Sequence, residues 1–86
     1  MKLNPNYIVH ITEEEVLLVP TGKAGFSGIV RGNQTLGFIL EQLKEETTEE
    51  KMAAAMLERW DVSEEAALRD LRQALAELRK IRALDE

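Results

Sequence analysis

The hydrophobic pattern of the chain changes period about a third of the way along. Tyr7, Val9 and Ile11 alternate with Ile8, His10 and Thr12, the period of two expected of a half-buried strand. Polar Glu13-Glu14 follows as a turn, and Val16-Leu17-Leu18-Val19 then reads as a second, more continuously apolar strand. It should end at Pro20-Thr21-Gly22, because proline cannot donate to a ladder and glycine tolerates positive φ. Residues 21–28 hold Gly22, Gly25 and Gly28 and predict a loop, with Phe26 either capping the core or standing exposed. A short third strand is expected at about Gly28–Arg31, with Ile29 and Val30 as its apolar members.

Beyond Asn33 the period becomes helical. Asn33 can cap a helix over about Gln34–Lys44, whose stripe is Leu36, Ile39, Leu40 and Leu43. Gly37 inside it weakens the helix by roughly 0.5–1 kcal/mol relative to alanine and leaves room for close packing. Thr47 and Glu50 have capping-box spacing for a second helix to about Trp60, with Met52, Ala53, Met56, Leu57 and Trp60 inward. Asp61-Val62 is a tight joint, and Ser63 caps a third helix striped by Leu68, Leu71, Leu75, Leu78 and Ile81. Glu64 and Glu65 in its first turn and Arg79, Lys80 and Arg82 in its last complement the helix dipole. The order of elements predicts one α+β domain spanning 1–86, winged helix-turn-helix-like, with three short antiparallel strands followed by a three-helix bundle.

Composition narrows what such a domain can do. With 86 residues the core is modest, and an enclosed catalytic pocket would remove much of it. The absence of cysteine excludes disulfides and thiolate metal sites and agrees with a cytoplasmic location. No apolar run approaches the roughly 18 residues of a membrane span, and no secretory h-region is visible at the start. Net charge is −5, concentrated between residues 33 and 62, where seven acidic side chains face three basic ones. Between positions 68 and 82, by contrast, five basic residues oppose only Asp70 and Glu77.

Catalytic chemistry has no carrier in this sequence. The lone histidine, His10, is out of phase with Tyr7 and Val9 and reads as a surface residue of the first strand. The carboxylates at 13–15 and 45–50 are accounted for by turns and helix starts, and the glycines of 22–28 do not open a helix in phosphate-loop form. The expectation is a non-catalytic binding module that uses no cofactor. A winged-helix DNA-binding role is one alternative, disfavoured because the helix opening at Ser63 would meet phosphates with Glu64-Glu65. A regulatory domain that uses a Met/Leu surface for a helical protein partner is another.

The stretches Val19-Pro20-Thr21-Gly22-Lys23, Phe26-Ser27-Gly28-Ile29-Val30-Arg31-Gly32-Asn33-Gln34-Thr35 and Phe38-Ile39-Leu40-Glu41-Gln42-Leu43 resemble the PqqD-like family in order and spacing. Thr47-Thr48-Glu49-Glu50 and Asp61-Val62-Ser63-Glu64-Glu65 extend the resemblance through the helix pair, so that it covers about residues 3–84. Gly32 stands where the family usually has leucine, Leu40 where it usually has tryptophan, and Leu36-Gly37 replace small residues. The resemblance implies a peptide chaperone. Such domains, as in pyrroloquinoline quinone synthesis, recognise the leader of a ribosomally made precursor peptide and present it to a modifying enzyme, commonly a radical S-adenosylmethionine protein. It also implies strand addition to the free edge of the third strand, against the third helix. On this chain the implied peptide-binding residues are Ser27, Gly28, Ile29, Val30 and Arg31 on the strand and Leu68, Arg69, Arg72, Leu75 and Arg79 on the helix. The arginines then suit an extended acidic and apolar peptide; neither nucleic acid nor membrane is expected as a partner.

Overall fold

The computed structural model describes residues 1–23 and 28–86. Its elements run β1 (Lys2–Leu3), β2 (Tyr7–Ile11), β3 (Val16–Pro20), β4 (Val30–Gly32), α1 (Gln34–Gln42), α2 (Glu49–Arg59), α3 (Glu64–Lys80) and β5 (Leu84–Asp85). Strands β2, β3 and β4 form an antiparallel sheet in that order, with Ile8 opposite Val19, His10 opposite Leu17 and Leu17 opposite Arg31. This is the expected α+β order of three strands followed by three helices. Alternation sorts the two faces of the sheet. Tyr7, Val16 and Leu18 are buried on the inner face, whereas Ile8, His10 and Arg31 are exposed on the outer one.

The inner face packs on a core drawn from every helix: Ile39, Leu40 and Leu43 of α1 and its cap, Met52 and Met56 of α2, and Leu71, Leu75 and Leu78 of α3. Gly37 explains the close approach of α1 to the sheet. A Cβ built there would lie 2.9 Å from Val16 Cγ2 on β3, so the helix could not sit at this distance with a larger residue. Trp60 stacks edge-on against Phe38, with ring centroids 5.0 Å apart, and the Arg59 guanidinium lies over its ring, 5.6 Å from the centroid. Leu57, expected inward, is instead exposed.

Of the boundaries that differ from the sequence expectation, three have a reason visible in the structure. The third strand of the sheet begins at Val30 rather than Gly28 and takes in Gly32, while Gly28 has φ 113° and turns the chain ahead of it. The cap of α2 is Thr48, whose hydroxyl accepts from the Lys51 N–H, and not Thr47. Thr47 is buried, and its N–H is already donated to the Met1 carbonyl at 2.9 Å. Helix α3 stops at Lys80, so Arg82 lies beyond its last turn, in the left-handed region at φ 59°. There the Ala83 N–H donates to the Leu78 carbonyl and the Arg82 N–H to that of Arg79, the paired bonds of a Schellman cap, here without the usual glycine.

That cap turns the chain into β5, which pairs antiparallel with β1 through Leu3 and Leu84. The two-residue ribbon ties the start of the chain to the end of α3, assisted by the bond from the Asn4 N–H to the Ala83 carbonyl, 2.7 Å. Tyr7 adds a second tie, its buried phenol donating to the Ile81 carbonyl. Burial raises the Tyr7 pKa above its ordinary value, and the nearby Arg82 charge opposes this in part. Among the described residues no helix is long and apolar enough to cross a membrane.

Candidate functional site

Among the described residues, strand β4 pairs with β3 on one side only. Along its other edge, alternate backbone N–H and C=O groups point away from the sheet, where an extended chain can take them up. That edge is one wall of an open groove of about 760 Å³. Val30, Arg31 and Gly32 form the strand wall, the start of α1 closes one end with Asn33, Thr35 and Leu36, and α3 supplies the opposite wall. The α3 wall is Asp70, Gln73, Ala74, Glu77 and Leu78, with Ile81 just beyond. Leu36, Val30, Ala74 and Leu78 are partly or fully buried and form the apolar floor; Asp70, Gln73 and Glu77 are exposed along the rim.

Gly32 and Leu36 shape this groove together. A Cβ on Gly32 would overlap the Leu36 side chain, with Cβ and Cγ of Leu36 both at 3.0 Å. The bulk that β4 lacks is thus delivered from the first turn of α1. Asn33 holds that turn in place by accepting the Leu36 N–H at 2.9 Å. The change at Gly32 therefore alters which element lines the floor and does not leave a void.

A family model described as Coenzyme PQQ synthesis protein D (PqqD) matches residues 14–84, which takes in β3, β4, all three helices and hence both walls of the groove. The chain belongs to the PqqD family. A solved structure with the same fold is that of TbiB1 in complex with the TbiA(beta) leader peptide. It superposes with a TM-score of 0.83 at 21% sequence identity, over 99% of this chain and 95% of that one. No curated protein matches the chain.

Against this PqqD frame, the strand half of the expected peptide site lies together. Gly28, Ile29, Val30 and Arg31 lead into or belong to β4, although Ile29 precedes the paired residues; Ser27, like Phe26, lies outside the described residues. The helix half is placed elsewhere. Leu75 is fully buried in the core and offers nothing to a ligand. Leu68 is half-buried against the same core. Arg72 turns toward α2, its Nε donating to Glu49 Oε1 at 2.5 Å, and Arg79 holds Glu86 through two bonds of 3.0 and 2.8 Å. The Glu86 contact raises the Arg79 pKa, and the Arg79 bond holds the Glu86 carboxyl below the usual carboxylate range. Arg69 sits 3.6 Å from Asp70 and is not among the residues that line the groove.

The arginines and the groove thus occupy opposite flanks of the α3 core stripe. Residues missed by sequence reasoning are Asp70, Gln73, Ala74 and Glu77. Their signal was present as a second face at steps of three and four, but it is polar and unremarkable by itself.

Proposed function

We propose that the chain is a non-catalytic recognition module that binds the leader segment of a ribosomally made precursor peptide and offers it to a modifying enzyme. The observation that carries this reading is the β4 edge, unpaired among the described residues, facing α3 across an open groove in a chain of the PqqD family. The leader would enter as a fourth strand beside Val30–Gly32. Main-chain bonds give affinity that tolerates sequence, and every second side chain is directed onto the floor of Leu36, Ala74 and Leu78. The related fold of TbiB1, solved in complex with a leader peptide, supports a leader as the ligand.

The chemistry of the walls refines the ligand. Asp70 and Glu77 rim the helix side, so the groove does not call for an acidic peptide. Apolar residues at alternate positions, with neutral or basic ones between, fit it better. A DNA-binding role gains no support, because α3 opens with Glu64 and Glu65 and the groove wall on α3 adds further carboxylates.

The test uses a synthetic leader peptide from a short precursor gene, once one is identified near this chain's gene. Calorimetry should give saturable one-to-one binding. Hydrogen exchange should slow at the outward-pointing β4 amides, as a newly paired strand requires. Binding without any added protection at β4 would remove strand addition from the account. No binding of the leader would remove the function.

A further inference from the structure

We propose that Leu36, reaching over Gly32, determines which peptide side chain the groove accepts at its α1 end; this deepens the leader-binding reading above and rests on it. Strand pairing fixes the geometry. Gly32 lies opposite Val16 and Val30 opposite Leu18, both buried on the inner face, so positions 30 and 32 face inward and Arg31 faces outward. Residues paired across a ladder project to the same face of the sheet. A peptide added beside β4 therefore sends inward the two residues that pair with Val30 and Gly32, whichever way it runs. The residue between them points outward. The first inward residue meets Val30 and, across the groove, Ala74 and Leu78. The second meets no side chain of β4 at all, because its partner is a glycine.

Two glycines give that place to Leu36. Gly37 lets the start of α1 settle on β3, where a Cβ would come within 2.9 Å of Val16 Cγ2. Gly32 clears the strand beneath the helix: a Cβ there would collide with a Leu36 methyl and lie 3.0 Å from both Cβ and Cγ of that residue. Asn33 fixes the turn by accepting the Leu36 N–H. The Leu36 side chain thus fills the volume of a side chain on residue 32, yet it is carried by α1. Ile39 and Leu40 on the same helix are fully buried, whereas Leu36 keeps part of its surface and lines the groove. The uncovered part is aliphatic, and the first turn of α1, residues 34–37, holds no charged side chain. An aliphatic or aromatic peptide residue gains burial there, while a charged one would lose hydration with no partner from that turn. The leader class that fits has two apolar residues separated by one, and Leu36 selects the one that pairs with Gly32.

The test is a selection from a phage-displayed library of random peptides. It is made on the wild-type chain, on Leu36→Gln and on the pair Gly32→Leu/Leu36→Ala. Wild type should select apolar residues at two positions separated by one. Leu36→Gln keeps a side chain of similar reach and removes its methyls, so one of those positions should turn polar and the other stay apolar. The pair returns an apolar side chain to the same volume from the strand and should restore both. For a peptide selected on wild type, alanine at the switched position should raise Kd about tenfold with the wild-type chain and less than about twofold with Leu36→Gln. A Leu36 that only supports the fold would weaken all peptides alike and leave that ratio unchanged. In the wild-type chain itself, the Leu36 methyls should show nuclear Overhauser contacts to the peptide residue at the switched position; contacts to no peptide residue contradict the assignment. Both positions retained or both lost in Leu36→Gln, or a pair that fails to restore the preference, overturns the proposal and leaves leader binding intact. A wild-type selection that yields no peptide, or only peptides that bind without slowing exchange at β4, overturns the reading beneath it.

Discussion

The two flanks of α3 look alike in sequence and differ in everything that matters for a ligand. One carries Arg72, Ala76 and Arg79; the other carries Asp70, Ala74 and Glu77. Each follows helical spacing, and each borders the stripe of Leu71, Leu75 and Leu78. The first faces α2 and the chain end, where its guanidiniums are held by Glu49 and Glu86. The second faces β4 across the groove. The stripe identifies what is buried but is symmetric about its own axis, so it does not tell which flank meets the sheet. The side of the helix on which the strand lies decides that, and it depends on how α1 and the β1–β5 ribbon bring sheet and helix together.

The comparison breaks most visibly at the stripe itself. Leu75→Ala removes a fully buried side chain shared by neither flank and should cost about 2–5 kcal/mol, measured by denaturant midpoint. A midpoint unchanged within error would mean that the stripe is not the core. The next effect separates the flanks directly. Ala74→Arg places a long side chain across the groove and should raise the leader Kd at least tenfold, or about 1.4 kcal/mol. Ala76→Arg, on the exposed opposite flank, should change it by less than twofold. Equal losses from both would show that the peptide does not discriminate between the flanks.

A smaller effect tests the anchor at the groove end of α3. Tyr7→Phe deletes the donor to the Ile81 carbonyl and should cost about 1 kcal/mol in thermal unfolding. The same contact gives a pH signature. The folded-state pKa of Tyr7 is raised, so its contribution is complete below the unfolded value of about 10 and is lost as pH rises through the folded value. Tyr7→Phe should therefore lose less stability than the parent on going from pH 9 to 11. The smallest change is expected at Arg72. Its contact with Glu49 is exposed, and Arg72→Ala should cost no more than about 1 kcal/mol in stability. It should leave leader affinity unchanged, as calorimetry at low and high salt would confirm.

Much of this arrangement is legible in the residues, and the remainder is hidden for identifiable reasons. Alternation in 7–12 and the leucine spacing of 68–78 identify β2 and α3, because burial of one face leaves a period behind. Asn33 and Ser63 cap where expected. Thr47 and Thr48 are equivalent as caps until the Met1 carbonyl engages the Thr47 N–H, a contact made from the far end of the chain. Arg82 carries no mark of a left-handed residue, since glycine is the usual signal and here a Schellman cap proceeds without it. The two-residue strands β1 and β5 are too short to show any period. At the groove, the β4 wall is readable from its position after the glycines. The α3 wall of the groove is less legible, because charge draws attention to the arginines, while the groove flank presents alanine and ordinary carboxylates.

The measurement that tests this account most directly is an amide shift map of the protein titrated with its leader peptide, read along α3 and β4. The account predicts the largest shifts at Val30, Arg31 and Gly32 and at Gln73, Ala74, Glu77 and Ile81, with Arg72, Ala76 and Arg79 nearly unmoved. Shifts concentrated at Arg72, Ala76 and Arg79, with β4 unchanged, would place the peptide on the other flank and contradict it.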